Sequence, residues 1–207
     1  MAKLHFYYGA MNSGKSSLLL QVAYNYNQMG LDVLLIKPEV DKKANDKISS
    51  RLGIERKVDI LLFDNHSIFD TIKEKNIDIN KISCVFVDEA QFLNPKQVKE
   101  LYVMSSVLDI TVMCYGLRTD FRSEVFEGSK YLFAYADELT ELTTICSCGR
   151  KARFNARIEN GKYTLVGNTI AIDEIDAKYE SLCPKCYANK VLNINYIDTI
   201  KTLKKVK

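Results

Sequence analysis

The chain has 207 residues, of which 47% are hydrophobic and 27% are charged. This balance is typical of a folded globular protein and excludes disorder over most of the length. The longest apolar runs, such as residues 33–36, are far too short to cross a bilayer, and the N-terminus lacks a signal-peptide pattern. We therefore expect a cytoplasmic protein that does not contact a membrane.

The charge of the chain is nearly balanced. Its net charge is +3, and four of the 29 Lys and Arg residues lie among the last seven positions, which leaves 25 basic against 26 acidic residues. A surface that binds a polyanion needs a clear basic excess. No nucleic-acid partner is expected.

The first two-thirds of the chain alternate between short apolar runs and helical periodicity. The predicted strands are residues 3–8, 32–37, 58–63, 82–87, 110–115 and about 139–145. The predicted helices are residues 15–29, a helix capped by Ser67, a helix from Asn94 and Pro95 to about 107, and residues 124–135. Such alternation predicts an α/β fold, a parallel sheet with helices on both faces. Residues 39–57 carry many charges and few core residues, and we interpret them as a loop or hairpin.

A phosphate-binding motif follows the first predicted strand. Residues 9–16 fit the pattern G-x-x-x-x-G-K-[ST] and are Gly9, Ala10, Met11, Asn12, Ser13, Gly14, Lys15 and Ser16. The glycines let backbone N–H groups point at phosphate oxygens, Lys15 adds a cation, and Ser16 offers a hydroxyl to Mg²⁺. A chance match is the alternative, but the position between a strand and a helix favours binding of ATP with Mg²⁺.

Two acids end the predicted strand at residues 82–87. In proteins with a phosphate loop, an Asp in the position of Asp88 holds Mg²⁺ or its water ligands. Glu89 would then lie near the γ-phosphate, where it either activates a water or accepts a proton from a substrate hydroxyl. The alternative is that both are ordinary exposed acids at a strand end.

Four of the six cysteines form two pairs in the last third of the chain, Cys146 with Cys148 and Cys183 with Cys186. Four thiolates can close a tetrahedral structural zinc site. The first pair has C-x-C spacing instead of C-x-x-C, and buried free cysteines or a redox pair are the alternatives. Cys84 and Cys114 lie in predicted strands and are interpreted as small core residues.

The composition changes at residue 146, where helical periodicity gives way to glycines and short β-like runs. This change predicts a nucleotide-binding domain over residues 1–145, a zinc-binding module over 146–198 and a basic tail over 199–207. About fifty residues with little helical pattern would be marginally stable without a metal.

The order of these motifs resembles the type II thymidine kinases, the family of the human cytosolic enzyme, in a bacterial form. The phosphate loop reads Gly-x-Met-x-Ser-Gly-Lys-Ser, and residues 88–92 match the family's Asp-Glu-x-Gln-Phe signature. Leu117 and Phe121 match a segment beside the thymine, and Tyr179 matches the tyrosine of a substrate-binding "lasso" loop.

The resemblance implies roles for these residues. It makes Glu89 the general base on the 5′-hydroxyl of thymidine, and it gives Lys15, Ser16, Asp88 and Gln91 to ATP and Mg²⁺. The implied nucleoside-binding residues are Met11, Phe92, Leu117, Phe121, Ile170, Ala171, Ile172 and Tyr179. It also implies a zinc-anchored lasso over about residues 170–179, a homotetramer, and feedback inhibition by dTTP.

Two features depart from the family pattern, and one of them is the C-x-C spacing of Cys146 and Cys148. The family often has Asp-x-Arg on the hairpin after the second strand, where this chain has Asp41 and Lys43. Lysine keeps the charge but loses the bidentate geometry of arginine, so no catalytic role is assigned to Lys43.

Two other functions remain open from the residues alone. A phosphate-loop ATPase of the recombinase or helicase type would use Glu89 to activate water. A zinc-ribbon protein that binds nucleic acid would use the cysteine module without catalysis. The near-neutral charge disfavours both.

Overall fold

The computed structural model describes residues 1–39, 46–167 and 178–194. The chain forms two compact units. The first unit consists of Met1–Gly9, Ser13–Arg118 and Val125–Leu142. The second consists of Ala10–Asn12, Thr119–Glu124 and the chain from Thr143 onward.

The elements alternate in the first unit and become mostly β in the second. The helices are α1 (Lys15–Gln28), α2 (Ile68–Glu74), α3 (Pro95–Ser106), α4 (Glu127–Tyr135) and α5 (Pro184–Lys190). The strands are β1 (Leu4–Gly9), β2 (Asp32–Pro38), β3 (Lys47–Ser49), β4 (Glu55–Lys57), β5 (Ile60–Leu62), β6 (Ile82–Val87), β7 (Thr111–Leu117), β8 (Glu138–Leu142), β9 (Thr144–Ile145), β10 (Lys151–Ala152), β11 (Phe154–Glu159), β12 (Lys162–Thr164) and β13 (Lys178–Leu182). Among the described residues no helix is long and apolar enough to cross a membrane.

The first unit is built on a six-stranded sheet in the order β5-β2-β6-β7-β1-β8. Every neighbouring pair in it is parallel. Successive side chains of β2 point to opposite faces, so Leu34 and Ile36 pack with α2, α3 and α4 while Val33 and Leu35 pack with α1. The predicted parallel sheet with helices on both faces is therefore confirmed.

The helix boundaries follow local signals in the sequence. The Asn94 side chain accepts a hydrogen bond from the Gln97 N–H, and the Gln97 side chain accepts one from the Asn94 N–H, which forms a capping box at the start of α3. Ser67 caps α2 through the Asp70 N–H. Both predicted helix starts are confirmed.

The described part of residues 39–57 is an antiparallel hairpin of β3 and β4. Its Ile48 is fully buried with Leu19, Leu20 and Ala23 of α1. The segment therefore contributes to the core, although its many charges predicted few core residues.

Several predicted elements differ in extent from the observed ones, and the strand expected over residues 58–63 is limited to Ile60–Leu62. The helix expected from about residue 124 begins at Glu127, because the Asp120 carboxylate accepts hydrogen bonds from the Arg122 and Glu124 N–H groups and holds that segment in a turn. The strand expected over residues 139–145 is divided into β8, which joins the parallel sheet, and β9, which pairs with β10.

The second unit has its own small core. A three-stranded antiparallel sheet in the order β12-β11-β13 packs with α5 around Ala156, Leu182 and Tyr187. Cys146 and Cys183 are buried in the same cluster. The core is small for a unit of this size, so a metal staple would add substantial stability.

Gly128 lets α4 lie directly against the turn at residues 90–93. A Cβ atom at this position would lie 2.7 Å from the carbonyl oxygens of Ala90, Gln91 and Leu93. We expect Gly128→Ala to lower the free energy of unfolding by about 2–3 kcal/mol, because backbone must shift to admit the methyl group. Urea unfolding checks this, with Lys130→Ala at an exposed position of α4 as the control. Equal stability of the two variants would contradict it.

Candidate active site

Several of the sequence-predicted residues meet in the first unit where β1 and β6 end. The carboxyl ends of parallel strands lie at one edge of a sheet, which is where ligands bind in open α/β folds. Gly9 ends β1, Asp88 and Glu89 follow β6, and Lys15 begins α1. This edge of the sheet thus collects the basic, hydroxyl and carboxylate groups.

The phosphate loop needs glycine at both ends. A Cβ atom on Gly9 would lie 2.5 Å from the Leu142 carbonyl oxygen and 2.6 Å from Ser13 Oγ. Gly14 has a φ of +76°, in the left-handed region, and lies directly before α1. Both positions therefore exclude a side chain, one by contact and the other by conformation.

Lys15 is held inside the loop. Its Nζ lies 3.3 Å from Ser13 Oγ. Burial lowers the pKa of the Lys15 ammonium, while the nearby Glu89 and Asp88 carboxylates raise it. A desolvated cation facing carboxylates is well placed to exchange them for the oxygens of an anionic ligand.

Ser16 and Asp88 form a close hydrogen-bonded pair. The Ser16 hydroxyl lies 3.2 Å from Asp88 Oδ1 and 3.1 Å from Oδ2. Asp88 is 4% exposed, and burial together with the charge of Glu89 raises its pKa to about 6, although Ser16 opposes the shift. A hydroxyl beside a carboxylate is the oxygen donor set that suits Mg²⁺.

Glu89 is fixed by its backbone and by one amide. Its φ is +50°, a conformation that is uncommon for a residue with a side chain. Gln91 Nε2 donates to Glu89 Oε2 at 2.5 Å, and Gln91 Oε1 accepts from the Leu117 N–H at 2.9 Å. Gln91, which the resemblance gives to ATP, thus uses both ends of its amide within the fold.

Leu117 and Phe92 also lie in the first unit. The Leu117 carbonyl accepts a hydrogen bond from the Ser129 hydroxyl at 2.5 Å, so both backbone polar groups of Leu117 are bound by side chains. Phe92 packs edge-on against Phe126, with ring centroids 5.5 Å apart. Both candidate nucleoside-binding residues are therefore held firmly by their surroundings.

Three other candidates, Met11, Phe121 and Tyr179, belong to the second unit. Phe121 is 1% exposed, and the guanidinium carbon of the fully buried Arg157 lies 5.3 Å from its ring centroid. Tyr179 is the cross-strand partner of Arg157 between β11 and β13. The Phe121 carbonyl accepts a hydrogen bond from the Tyr187 hydroxyl at 2.8 Å. These contacts fix the ring of Phe121 and the strand that carries Tyr179.

Part of the sequence-predicted site lies outside the described residues. This holds for Ile170, Ala171 and Ile172 of the lasso, for Asp41 and Lys43 of the hairpin, and for the basic tail.

The four clustered cysteines come together in the second unit. Their sulfur atoms all lie within 4.8 Å of one another, with Cys148 Sγ 3.6 Å from Cys146 Sγ and 3.5 Å from Cys183 Sγ. Four sulfurs around zinc at about 2.3 Å would be about 3.8 Å apart, so the residues fit this metal. Burial acts against ionisation of Cys146, but hydrogen bonds from the backbone N–H groups of Cys148 and Cys183 outweigh it and lower the pKa to about 6.

The sequence did not single out several residues that support this site. Ser129 binds the backbone of Leu117, while Asn155 and Ser181 bind the backbone of Met11. None belongs to a recognisable motif, because each acts through a partner that is distant in the chain. Only the tertiary structure reveals them.

Comparison with known proteins gives one consistent family. A family model described as thymidine kinase matches residues 2–187. The thymidine kinase of Shewanella oneidensis is 46% identical over 188 residues, which cover 89% of this chain and 96% of that protein. Those of Coxiella burnetii and Haemophilus influenzae are each 47% identical, over 89% and 92% of this chain and 94% and 98% of theirs.

Solved structures add little. Domain III of the replication initiation protein DnaA from Thermotoga maritima matches with a TM-score of 0.36 and 18% identity, over 67% of this chain and 54% of that chain. A likeness at this level supports neither a fold nor a function.

The raised pKa of Asp88 predicts that this carboxylate destabilises the protein at neutral pH when Mg²⁺ and nucleotide are absent. Its ordinary value is 3.8 and its folded value is about 6. Its contribution to stability is therefore fully present below about pH 4 and is lost as the pH rises through about 6. We expect Asp88→Asn to raise the free energy of unfolding at pH 7.5 by up to about 3 kcal/mol and to have much less effect at pH 4.5.

Urea unfolding of both proteins at the two pH values checks this expectation. Asp32→Asn, which removes a carboxylate at an exposed position at the start of β2, is the matched control. An Asp88→Asn variant that is less stable than the parent at pH 7.5 would contradict the argument.

Proposed function

Because the chain belongs to the thymidine kinase family, we propose that it transfers the γ-phosphoryl group of ATP to the 5′-hydroxyl of thymidine and produces ADP and dTMP. One observation in the structure supports the proposal most directly. The Ser16–Asp88 pair and the Glu89 carboxylate meet beside Lys15, at the end of a phosphate loop. Phosphoryl transfer needs positioning, charge neutralisation and one proton acceptor, and these residues supply all three.

Glu89 is proposed as the general base. The carboxylate accepts the proton of the 5′-hydroxyl as the oxygen attacks the γ-phosphorus atom, and the bond between that atom and the bridging oxygen of ADP breaks. The hydrogen bond from Gln91 supports this role, because it holds one carboxylate oxygen at 2.5 Å and leaves the other for the substrate.

Lys15, Ser16 and Asp88 are proposed to manage the phosphates, with the backbone N–H groups of residues 9–16 around them. Lys15 neutralises charge on the β- and γ-phosphates. Ser16 and Asp88 would hold Mg²⁺, which when bound neutralises charge on the transferred group. The existing contact between the Ser16 hydroxyl and Asp88 supports this assignment.

The nucleoside is proposed to contact apolar and aromatic side chains and the backbone of the lasso. These residues are Met11, Phe92, Leu117, Phe121, Ile170, Ala171, Ile172 and Tyr179. A flat pyrimidine is bound best by apolar walls with a few hydrogen bonds. Arg157 lies over the Phe121 ring and the Tyr187 hydroxyl binds the Phe121 carbonyl, so this almost fully buried residue has a fixed position.

The cysteine cluster is proposed to bind one structural zinc ion. Four protein ligands leave no open coordination position, so the metal would take no part in the chemistry. Cys183 directly follows β13, the strand that carries Tyr179. The metal would therefore stabilise that strand.

The resemblance to the family supports three further parts of the proposal. We include a homotetramer, feedback inhibition by dTTP bound at the nucleoside site, and a cytoplasmic location.

The two other functions are not favoured. An ATPase that acts on nucleic acid, or a zinc-ribbon protein that binds it, would need a basic surface, and the chain without its last seven residues is close to neutral. Family membership favours the kinase over both.

Glu89→Gln should reduce thymidine phosphorylation by about 10²- to 10⁴-fold, because the amide cannot accept the proton. ATP binding should change by less than about twofold, since the variant keeps its size and can still accept from Gln91. Thymidine-dependent release of ADP and direct titration of ATP measure the two effects.

Glu127→Gln on the exposed surface of α4 is the matched control and should keep full activity. ATP consumption by the parent protein is measured without additions, with DNA, and with each deoxynucleoside. Turnover only with DNA would contradict the kinase, and undiminished activity of Glu89→Gln would contradict the role of that residue.

Purified protein should contain about one zinc ion per chain. Cys183→Ser should lose the metal and melt at a lower temperature, because an incomplete ligand set no longer supports the small core. Cys114→Ala, which removes a buried thiol from the first unit, should keep its zinc. Elemental analysis and thermal melting test this, and a zinc-free protein of unchanged stability would refute the site.

A further inference from the structure

Met11, in the middle of the phosphate loop, has both of its backbone polar groups bound by side chains from distant strands. The Met11 N–H donates to Asn155 Oδ1 at 2.8 Å, and the Met11 carbonyl accepts from Ser181 Oγ at 2.7 Å. Residues 10–14 belong to neither a strand nor a helix, and buried peptide groups in such a segment need partners from elsewhere. These two side chains therefore replace a strand neighbour for this residue.

The two side chains act as one unit. Asn155 on β11 and Ser181 on β13 are direct cross-strand partners, and they are 4% and 7% exposed. Side chains of such a pair leave the same face of the sheet next to each other. The Asn155 amide also donates to the Thr119 carbonyl at 3.2 Å, which fixes its orientation. This cross-strand pair therefore provides one hydrogen-bond acceptor and one donor to the backbone of Met11.

The same strand carries other groups of the proposed site. Tyr179 precedes Ser181 by two residues and Cys183 follows it by two. Tyr179 and Ser181 therefore point to one face of β13, and Cys183 directly follows the last residue of the strand. Thus β13 connects a proposed contact to the nucleoside, the support of Met11 and a proposed ligand to zinc.

Support of this kind matters for a phosphate loop. The loop binds through backbone N–H groups, and Asn12 and Gly14 already have φ values of +63° and +76°. A loop held in its binding shape does not lose that conformational entropy when the ligand arrives, so its affinity is higher.

We propose that Asn155 and Ser181 are positioning residues that hold the phosphate loop, through Met11, in the shape that binds ATP. The inference rests on the proposed function only in taking ATP as the ligand. Neither residue touches the reacting atoms. Each acts through the backbone of Met11.

The test compares Ser181→Thr with Ser181→Val. These side chains have the same shape, and only threonine keeps a hydroxyl for the Met11 carbonyl. We expect the dissociation constant for ATP with Mg²⁺, measured by titration calorimetry without thymidine, to stay within about twofold in Ser181→Thr. In Ser181→Val it should rise by about five- to tenfold, the loss expected for one hydrogen bond.

Controls separate this effect from general damage to the fold. Thr164→Val removes a hydroxyl from β12 of the same sheet, whose partner is Val166, and should leave ATP binding unchanged. The KM for ATP should rise in Ser181→Val and stay close to the parent value in Ser181→Thr. Asn155→Asp keeps the acceptor for the Met11 N–H, so its ATP affinity should exceed that of Asn155→Leu, which lacks it.

Equal ATP dissociation constants for Ser181→Thr and Ser181→Val would overturn the proposal, whether both are normal or both are weakened. So would a loss in Thr164→Val as large as that in Ser181→Val. ATP binding is measured without turnover. A parent protein that binds ATP but does not phosphorylate thymidine would therefore refute the proposed function, while the ATP dissociation constants of the Ser181 variants would still test this proposal.

Discussion

Two neighbouring carboxylates, Asp88 and Glu89, end a strand that is otherwise buried, and much of the first unit serves to hold them there. Burial and mutual repulsion both raise the pKa of Asp88. The hydrogen bond from Ser16 opposes this rise in pKa. The Lys15 ammonium lies close enough to interact electrostatically with both carboxylates. A site with this arrangement is less stable when empty than when cations and phosphates fill it, which is a common feature of catalytic centres.

The backbone around the two carboxylates is also tightly constrained. Glu89 adopts a left-handed conformation, and the turn after it is packed so closely that a side chain at Gly116 would lie 2.8 Å from Gln91 Oε1. Gly128 lets α4 pack equally closely against the backbone of the same turn. The two glycines thus allow Gln91 to reach Glu89 and Leu117 at once. A general base needs such a fixed position, because misplacement by about 1 Å can cost a large factor in rate.

One structural device occurs in both units. Leu117 in the first unit and Met11 in the second each have their N–H and carbonyl groups bound by two side chains. In each case an amide oxygen accepts from the N–H and a serine hydroxyl donates to the carbonyl. Leu117 is the last residue of β7 and Met11 lies in a loop, so in both places the arrangement satisfies backbone groups where a regular element ends or is absent. Two candidate nucleoside-binding residues thereby have both of their backbone polar groups bound by side chains.

The sequence by itself determined the features that depend on local patterns. Apolar strands that alternate with helices predicted the parallel sheet, the capping residues Ser67 and Asn94 predicted the starts of α2 and α3, and the spacing of residues 9–16 identified the phosphate loop. Motif order was also enough to recognise the family, since each of its main motifs is a short run of residues.

Only the tertiary structure decided the features that depend on register and on distant partners. The pairing of Asn155 with Ser181, their hold on Met11, and the contact of Arg157 with Phe121 join positions up to 170 residues apart. Ile48 became a core residue for a similar reason, because its hairpin packs on α1. Such contacts leave no periodic or short-range signal, since the energy that selects them comes from packing and hydrogen bonds formed only after the strands have assembled.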